Sequence, residues 1–336
     1  MERRKLGTTD LEVSVIGFGC WTMGGPNFSP ANGQPIGWAD VNKDDVLAGI
    51  KAGLDAGVNH FDNADIYGNG RAERLLRECL DELGHLRGSN RDRLVIASKI
   101  GHMRGTAEHP YLPRHIRNQC EQSLMNLGVD HIDLYYFHHG GFAEDGQPGN
   151  LRDAAETMHE LVREGKVRAV GQSAYSDEDF ARTIPVVKPA VLQSHANLLD
   201  QVRIANGCKT QELMDEHGCT FIAFGPLGQG LLLDKFDADN PPTFADGDIR
   251  GSRDDFKREN LLKLRDKLTK VKERFGAEIV DLSSVASRFL LGHRNVSGVI
   301  PGFRNARQAT MNVRAGADAP LSESDLAFLR ELFPAS

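Results

Sequence analysis

Short apolar runs alternate with longer amphipathic stretches along the whole chain. Most runs are rich in branched aliphatic residues and have the length of a strand buried in a parallel sheet, and the stretches between them have helical spacing. The predicted strands cover residues 15–18, 59–62, 94–98, 132–137, 169–172, 190–193, 220–224 and 297–300. The predicted helices begin near residues 44, 71, 113, 151, 177, 209, 254 and 305. Eight such units without a break in composition favour one closed (β/α)8 (TIM) barrel domain over residues 1–336 rather than a doubly wound sheet.

Three segments fall outside this repeat. Residues 4–13 carry a Gly-Thr-Thr-Asp turn between apolar positions, which predicts an N-terminal β-hairpin that closes the bottom of the barrel. Residues 231–253 are rich in Asp, Pro and Gly and predict a long loop after the seventh strand. Residues 26–38 predict a further loop, which either covers the mouth of the barrel or is a mobile surface connection. The carboxyl-terminal face of the barrel is therefore expected to carry long loops.

Composition narrows the functional class. The 336 residues are 40% hydrophobic and carry a formal net charge of -7, which argues against a nucleic-acid partner. The five cysteines contain no Cys-x-x-Cys pair and predict reduced thiols, as in the cytoplasm. We expect neither a signal peptide nor a membrane span, since no apolar run has the required length. A cytoplasmic enzyme for small molecules fits best, and nothing in the sequence decides its oligomeric state.

Polar residues follow three successive predicted strands. Asp62 ends the second strand and Tyr67 follows it, Lys99 directly follows the third, and His138 directly follows the fourth. In a (β/α)8 barrel these strand ends meet at one mouth, where the active site lies. Each residue has an ordinary alternative: a turn cap, a rim aromatic, a solvated lysine and a histidine hydrogen-bonded in a loop. Their occurrence together at adjacent strand ends favours a catalytic group.

The chemistry of these four residues is coherent. A free tyrosine has a pKa near 10, and a neighbouring ammonium favours the ionised phenol. We therefore expect Lys99 to lower the pKa of Tyr67 and make it a better proton donor, with Asp62 holding Lys99 in place. A neutral His138 would orient a carbonyl oxygen or share in the proton transfer.

The sequence lacks the complete motifs of other cofactor-binding and metal-binding classes. Gly17-Phe18-Gly19 begins like a dinucleotide fingerprint, but Thr22 stands where the third glycine is required. The glycine-rich segments lack a P-loop lysine, and the histidines lack the paired spacing of metal ligands, so we expect no metal site.

The segments FDNADIYG, ASKIG and DLYYFHH resemble the three catalytic segments of the aldo-keto reductases. The resemblance continues in the family's order through LVREGKVRAVGQSAYS, LQSHANLLD, FGPLGQGLL and IPGFRNARQATMNV, and so covers nearly the whole chain. It implies a catalytic tetrad of Asp62, Tyr67, Lys99 and His138, the four residues reached from the strand ends. It also implies a nicotinamide cofactor and a carbonyl or alcohol substrate.

The resemblance implies a set of cofactor-binding residues: Ser173 and Gln193 on the carboxamide, Phe224 against the ring, Pro226, Leu227 and Gln229 along the pyrophosphate, and Gly302, Arg304, Gln308 and Asn312 at the adenosine 2′-phosphate end. Arg304 favours NADP(H) over NAD(H), because a planar guanidinium can donate two hydrogen bonds to a phosphate dianion. The alternative is a solvated arginine at a helix start.

Three positions depart from the family pattern. Ala174 stands where an asparagine commonly contacts the carboxamide, which removes a hydrogen bond with a net value of about 1 kcal/mol. Phe224 replaces a frequent tyrosine and Gly225 a frequent serine. These changes predict a looser grip on the cofactor.

Trp21, Met23 and His139 are the predicted substrate-pocket residues, and their apolar and aromatic character suits a hydrophobic or mixed carbonyl compound. The leading hypothesis is an active, reversible NADPH-dependent reductase whose physiological direction could equally be alcohol oxidation. The rival is a nucleotide-binding regulatory protein, because the family resembles potassium-channel β-subunits with slow turnover. His138 argues against the rival, since those subunits typically lack this histidine.

Overall fold

The computed structural model describes residues 1–29 and 32–335. Ten strands form a two-stranded hairpin, β1 and β2, and an eight-stranded sheet, β3 to β10. The strands are β1 Arg3–Lys5, β2 Glu12–Ser14, β3 Phe18–Gly19, β4 His60–Asp62, β5 Val95–Ile100, β6 Ile132–Phe137, β7 Val167–Ser173, β8 Val191–His195, β9 Thr220–Phe224 and β10 Val296–Ile300.

The large sheet is a parallel barrel. Every strand from β3 to β10 pairs with the next in chain order. Parallel bridges between Ile16 and Val299 and between Gly19 and Gly302 join its two edges. The predicted (β/α)8 fold and all eight predicted barrel strands are confirmed, and only strand ends move by a few residues.

The helices surround the barrel. They are α1 Lys43–Asp55, α2 Arg71–Glu82, α3 Gly88–Arg91, α4 Pro113–Leu127, α5 Leu151–Arg163, α6 Asp177–Val187, α7 Lys209–His217, α8 Arg258–Phe275, α9 Ile279–Leu291, α10 Ala306–Val313 and α11 Glu323–Leu332. Local chemistry explains their ends: the Ser176 hydroxyl accepts from the Asp179 amide at the start of α6, and Gly128 adopts the left-handed conformation after α4.

The helical prediction was wrong in the last third of the chain. The helix predicted near residue 254 is a short 3-10 turn, and the α-helix begins at Arg258. A second helix, α9, follows before β10 and was not predicted. Its Ser283, Ser284 and Ser287 are buried together with its apolar residues, so its sequence does not show the one-sided polarity on which the prediction relied.

The N-terminal hairpin closes the bottom of the barrel, as predicted. Arg4 pairs with Val13 in its ladder, and Leu6, Leu11 and Val13 are buried. These three side chains belong to one apolar cluster with Leu134 of the barrel interior. The closed lower end leaves the carboxyl-terminal face as the open one.

Two long loops meet across that open face. The Gly37 amide donates to the Gly247 carbonyl at 3.0 Å, and the Ile249 amide donates to the Gly37 carbonyl at 3.0 Å. The Arg250 guanidinium lies 4.7 Å from the centre of the Trp38 ring. The loop of residues 26–38 is thus bonded to the loop after β9, which agrees with the predicted cover over the mouth rather than with a mobile connection. Pro30 and Ala31 of this predicted segment lie outside the described residues.

Candidate active site

The barrel brings the four predicted catalytic side chains together. Asp62 is the last residue of β4, Lys99 lies near the end of β5, and His138 directly follows β6. Tyr67 reaches the same place through a tight turn, in which its amide donates to the Ala64 carbonyl at 3.2 Å. Adjacent parallel strands therefore place residues distant in sequence at one mouth.

A buried ion pair lies at the base of this group. Lys99 is fully buried and its ammonium contacts the Asp62 carboxylate, which is 1% exposed. The same ammonium donates to the Asn63 carbonyl at 2.7 Å and to the Tyr67 hydroxyl at 3.1 Å. The Gln193 amide donates to the second Asp62 oxygen at 2.7 Å. The Lys99 ammonium, which donates to the Tyr67 hydroxyl, is therefore itself held in place by Asp62 and Asn63.

The expectation for the acidity of Tyr67 was wrong in direction. Burial, reinforced by the Asp62 carboxylate, raises the pKa of the Tyr67 phenol well above its ordinary value. Lys99 does not offset the effect of burial, because Asp62 neutralises its charge and the ammonium acts on the phenol as a hydrogen-bond donor rather than as an isolated cation. Tyr67 consequently keeps its proton at neutral pH.

His138 is neutral, as expected. Burial lowers its pKa well below the ordinary value, and the neighbouring His102 and the Lys99 charge act in the same direction. Its ring lies 5.9 Å from the Tyr67 ring, close to perpendicular. A neutral imidazole can donate from one nitrogen and accept at the other.

These groups line one end of a cavity of about 1560 Å³. Asp62, Tyr67, His138 and Gln193 lie on its wall, whereas Lys99 lies behind it. The far end is lined by Arg304 and other residues between β10 and α10. The cavity is elongated, with the predicted catalytic group at one end and a cationic group at the other.

The nicotinamide end contains groups that fit a carboxamide. Ser173 itself is not among the residues that line the cavity, but its hydroxyl is buried close to them in sequence and has no hydrogen-bond partner among the described residues. Gln193 has its amide nitrogen engaged by Asp62, which leaves its oxygen as the acceptor. Phe224 lines the cavity as a ring platform. Ala174 is fully buried, and its carbonyl accepts from the Ser194 hydroxyl, so no side chain substitutes there for an asparagine.

A tight turn after β9 lines the cavity between the nicotinamide end and the cationic end. Pro226, Leu227 and Gln229 line it, and Gly225, Gly228 and Gly230 have φ values of 69°, 53° and 95°. Glycines allow the backbone to approach an anion closely. A Cβ at Gly225 would lie 2.7 Å from His195, so the serine frequent at this position does not fit beside that histidine.

The cationic end fits a phosphate. Arg304 lines the cavity and forms no ion pair with a carboxylate of the described chain, while Arg250 beside it is paired with Asp248 at 2.6 Å. The Gln308 side chain accepts from the Arg304 amide at 2.9 Å. Asn312 donates to the Gly302 carbonyl at 3.0 Å and keeps a buried oxygen without a partner among residues 1–29 and 32–335.

Of the three predicted substrate residues, only Trp21 lines the cavity. Its ring stacks 6.1 Å from Tyr67, and its nitrogen donates to the Ile36 carbonyl at 2.9 Å. Met23 is fully buried in the apolar core, because the 3-10 turn after β3 points it inward. His139 lies behind the wall, hydrogen-bonded to the Gly101 carbonyl. The assignments of Met23 and His139 to the pocket lining are corrected accordingly.

Among the cavity-lining residues that sequence reasoning missed, four carry an aromatic or imidazole ring: Trp38, His102, Tyr175 and His195. His102 and Tyr175 each lie two residues beyond a barrel strand, a position that could have identified them. Trp38 could not have been found this way, because it reaches the cavity from a long loop.

The fold and the site together define a barrel oxidoreductase with a buried Lys–Asp pair behind a tyrosine and an elongated cavity for a dinucleotide. The Aldo/keto reductase family model matches residues 15–333, and the chain belongs to this family. Family membership makes it an oxidoreductase that uses a nicotinamide cofactor and acts on small carbonyl compounds.

The chain is 30% identical to the aldo-keto reductase str7 of Strobilurus tenacellus, over 98% of this chain and 91% of that protein. It is 26% identical to the NADH-specific methylglyoxal reductase of Escherichia coli, over 99% and 98% of the two chains. A probable voltage-gated potassium channel β-subunit of Oryza sativa is also 26% identical, over 96% and 93%.

Solved structures have the same fold. The holo form of an aldo-keto reductase from Bacillus halodurans superposes with a TM-score of 0.76 at 23% identity, covering 100% of this chain and 97% of that one. A glycerol dehydrogenase from Gluconobacter oxydans gives 0.76 at 25% identity, covering 98% and 94%. Within the described chain, no helix is long and apolar enough to cross a membrane.

Buried neutral histidines should make the stability of this fold depend on pH. Burial lowers the pKa values of His60, His138 and His293. An unfolded histidine titrates near 6.5, so below that pH the unfolded chain binds protons that the folded chain does not. The free energy of unfolding should therefore decrease as the pH falls below about 6.5, by up to about 1.4 kcal/mol per pH unit for each proton taken up.

Urea unfolding at a series of pH values from about 7.5 down to about 5 measures this effect, above the range in which most carboxylates titrate. His293→Gln provides a variant away from the cavity, because the His293 ring hydrogen-bonds only to the backbone of α9. It should flatten the pH dependence. A stability that stays constant over this range would contradict the expectation.

Proposed function

We propose that the protein is an NADPH-dependent aldo-keto reductase in which Tyr67 is the general acid. The observation that carries this proposal is the position of the Tyr67 hydroxyl, 3.1 Å from the Lys99 ammonium. Lys99 is in turn paired with the buried Asp62, and His138 lies against the tyrosine ring. The four groups form one connected unit, with Asp62, Tyr67 and His138 on the cavity wall and Lys99 behind it.

In the proposed reaction, Tyr67 and His138 hold the oxygen of the substrate carbonyl. Ser173, Gln193 and Phe224 would hold a reduced nicotinamide, whose chemistry when bound would be to supply a hydride for the carbonyl carbon. As the C=O π bond breaks, negative charge develops on the oxygen, which takes the proton from Tyr67 and becomes an alcohol. Lys99 stabilises the phenolate that remains, and a proton from water restores the phenol. The raised pKa of Tyr67 keeps the proton in place until charge has developed on the substrate oxygen.

The cofactor is proposed to be NADP(H) because of Arg304. Ser173, Gln193 and Phe224 would hold the nicotinamide, and the glycine-rich turn after β9 would follow the pyrophosphate. At the other end, a guanidinium without a carboxylate partner among the described residues is suited to the 2′-phosphate that distinguishes NADPH from NADH. Because one relative is NADH-specific, the preference for NADPH over NADH has to be measured.

Arg304→Ala should separate the two nucleotides. We expect a Kd for NADPH about 10- to 100-fold higher, corresponding to the loss of charge-assisted hydrogen bonds, with little change for NADH. Titration of the protein fluorescence with each nucleotide measures this without turnover. Arg307→Ala is the matched variant, because Arg307 lines the same end of the cavity but is exposed. Equal weakening of NADPH and NADH by Arg304→Ala would refute the assignment.

The function itself is tested by a screen in both directions. Aldehydes and ketones are offered with NADPH and NADH, and alcohols with NADP and NAD, and kcat/KM is obtained for each. The glycerol dehydrogenase relative is a reason to include polyols, because hydride transfer is reversible. Turnover with a subset of these compounds is the expected result.

A second candidate is a regulatory protein that binds nucleotide but turns over slowly. The similarity to a probable potassium-channel β-subunit favours it. Tight binding of NADPH without turnover of any carbonyl or alcohol in the screen would select it and overturn the reductase proposal. The presence of His138 beside Tyr67 favours the enzyme.

A further inference from the structure

A second phenol–imidazole pair lies on the wall of the same cavity. His102 follows β5 by two residues, and Tyr175 follows β7 by two residues. Both line the cavity together with Tyr67 and His138. The proposed mechanism gives this pair no role.

The pair lies next to the proposed reaction centre. The His102 ring centre is 4.5 Å from that of His138, and the Tyr175 ring centre is 6.5 Å from that of Phe224. The Tyr175 hydroxyl is 3.5 Å from Nε2 of His102. An O–H···N contact of this length is weak, so both polar tips retain hydrogen-bonding capacity for a ligand.

The pair is uncharged. Burial, with the neighbouring His139 and Lys99, lowers the pKa of His102 to about 4, and the Tyr175 side chain is a phenol, which has an ordinary pKa near 10 and so keeps its proton at neutral pH. A neutral imidazole and a phenol each offer one donor and one acceptor. This combination suits a hydroxyl or a carbonyl oxygen, whereas a carboxylate would call for a cation.

We propose that His102 and Tyr175 bind a second oxygen of the substrate, on the carbon next to the reacting carbonyl. This inference rests on the proposed function, in which Tyr67 and His138 hold the reacting oxygen. The ring centres of His102 and His138 are 4.5 Å apart, a separation that fits two oxygens on adjacent carbon atoms of one substrate. The favoured substrates are therefore α-hydroxy carbonyl and α-dicarbonyl compounds.

The test compares hydroxyacetone with butan-2-one, which have the same number of heavy atoms and differ by a hydroxyl in place of a methyl group. The measured quantity is the ratio of their kcat/KM values. An α-hydroxyl also activates the carbonyl chemically, so the wild-type ratio alone does not report on the site. The change of this ratio on substitution does, because the intrinsic reactivities cancel.

Tyr175→Phe and His102→Phe each keep an aromatic ring and remove the hydrogen-bonding group. Each should lower the ratio about 5- to 10-fold, the size of one neutral hydrogen bond. His102→Gln, which retains a donor and an acceptor, should keep more of the ratio than His102→Phe. Met103→Leu, an apolar change on the same wall, should keep the ratio within about twofold.

A ratio that stays at the wild-type value in both Tyr175→Phe and His102→Phe overturns the inference, as does an equal loss on both ketones. Should His102→Phe not fold, Tyr175→Phe decides alone, because the Tyr175 side chain is 48% exposed and its loss does not open the core. Absence of turnover by the wild-type protein on every carbonyl and alcohol would instead overturn the proposed function. Turnover with an unaltered ratio overturns only the role of this pair.

Discussion

Replacing Tyr67 by phenylalanine is expected to lower kcat/KM for carbonyl reduction by about 10²- to 10⁴-fold, the usual contribution of a general acid. The change removes one oxygen atom, which contacts Lys99 and faces the cavity. Lys99 keeps its contacts with Asp62 and Asn63, so the ion pair behind the site should persist. NADPH binding should therefore survive.

Steady-state kinetics and a fluorescence titration with NADPH measure the two parts of this expectation. Tyr135→Phe is the matched control, since its hydroxyl is also buried but does not line the cavity. It should retain close to wild-type activity. Wild-type turnover in Tyr67→Phe would refute the role of Tyr67 as proton donor.

Replacing Lys99 by methionine should affect stability and activity together. The change leaves the Asp62 carboxylate buried, and Gln193 is then its only hydrogen-bonding side chain among the described residues. Removing one member of a buried ion pair costs about 3–5 kcal/mol, because the remaining charge has lost its counterion. Activity should also be lost, since no cation remains to stabilise a Tyr67 phenolate. Urea unfolding and kcat/KM measure the two effects.

The double variant Asp62→Leu/Lys99→Met separates stability from chemistry. Replacing a buried pair by apolar side chains is often neutral for stability, so most of the lost free energy of unfolding should return. Activity should not return, because the proposed site needs the charge. A double variant as unstable as Lys99→Met would show that the ion pair does not account for the loss of stability.

The barrel and the location of its mouth could be predicted from the sequence because they depend on local patterns. Buried parallel strands are short and mostly apolar, so strands such as the one from Ile132 to Phe137 are visible without tertiary information. Polar residues at such ends converge whenever the barrel closes. For that reason Asp62, Tyr67, Lys99 and His138 could be grouped before any distance was known.

Helix α9 and the position of Met23 could not be predicted in the same way. Helix α9 is buried on several sides, and periodicity reports only a contrast between a buried and an exposed face. Met23 and Trp21 lie two residues apart after the same strand, yet one points into the core and the other into the cavity. That difference depends on the short 3-10 turn that contains both residues.

The sequence by itself determined the eightfold repeat, the hairpin at the bottom and the identity of the residues at the mouth. Only the tertiary structure decided the direction in which the pKa of Tyr67 shifts, because the acidity of a phenol depends on how deeply it is buried and on whether the neighbouring ammonium is already neutralised. It also decided that His102 and Tyr175, far apart in sequence, share a wall with His138. Burial and pairing are sums over the whole fold, and no short segment of sequence contains them.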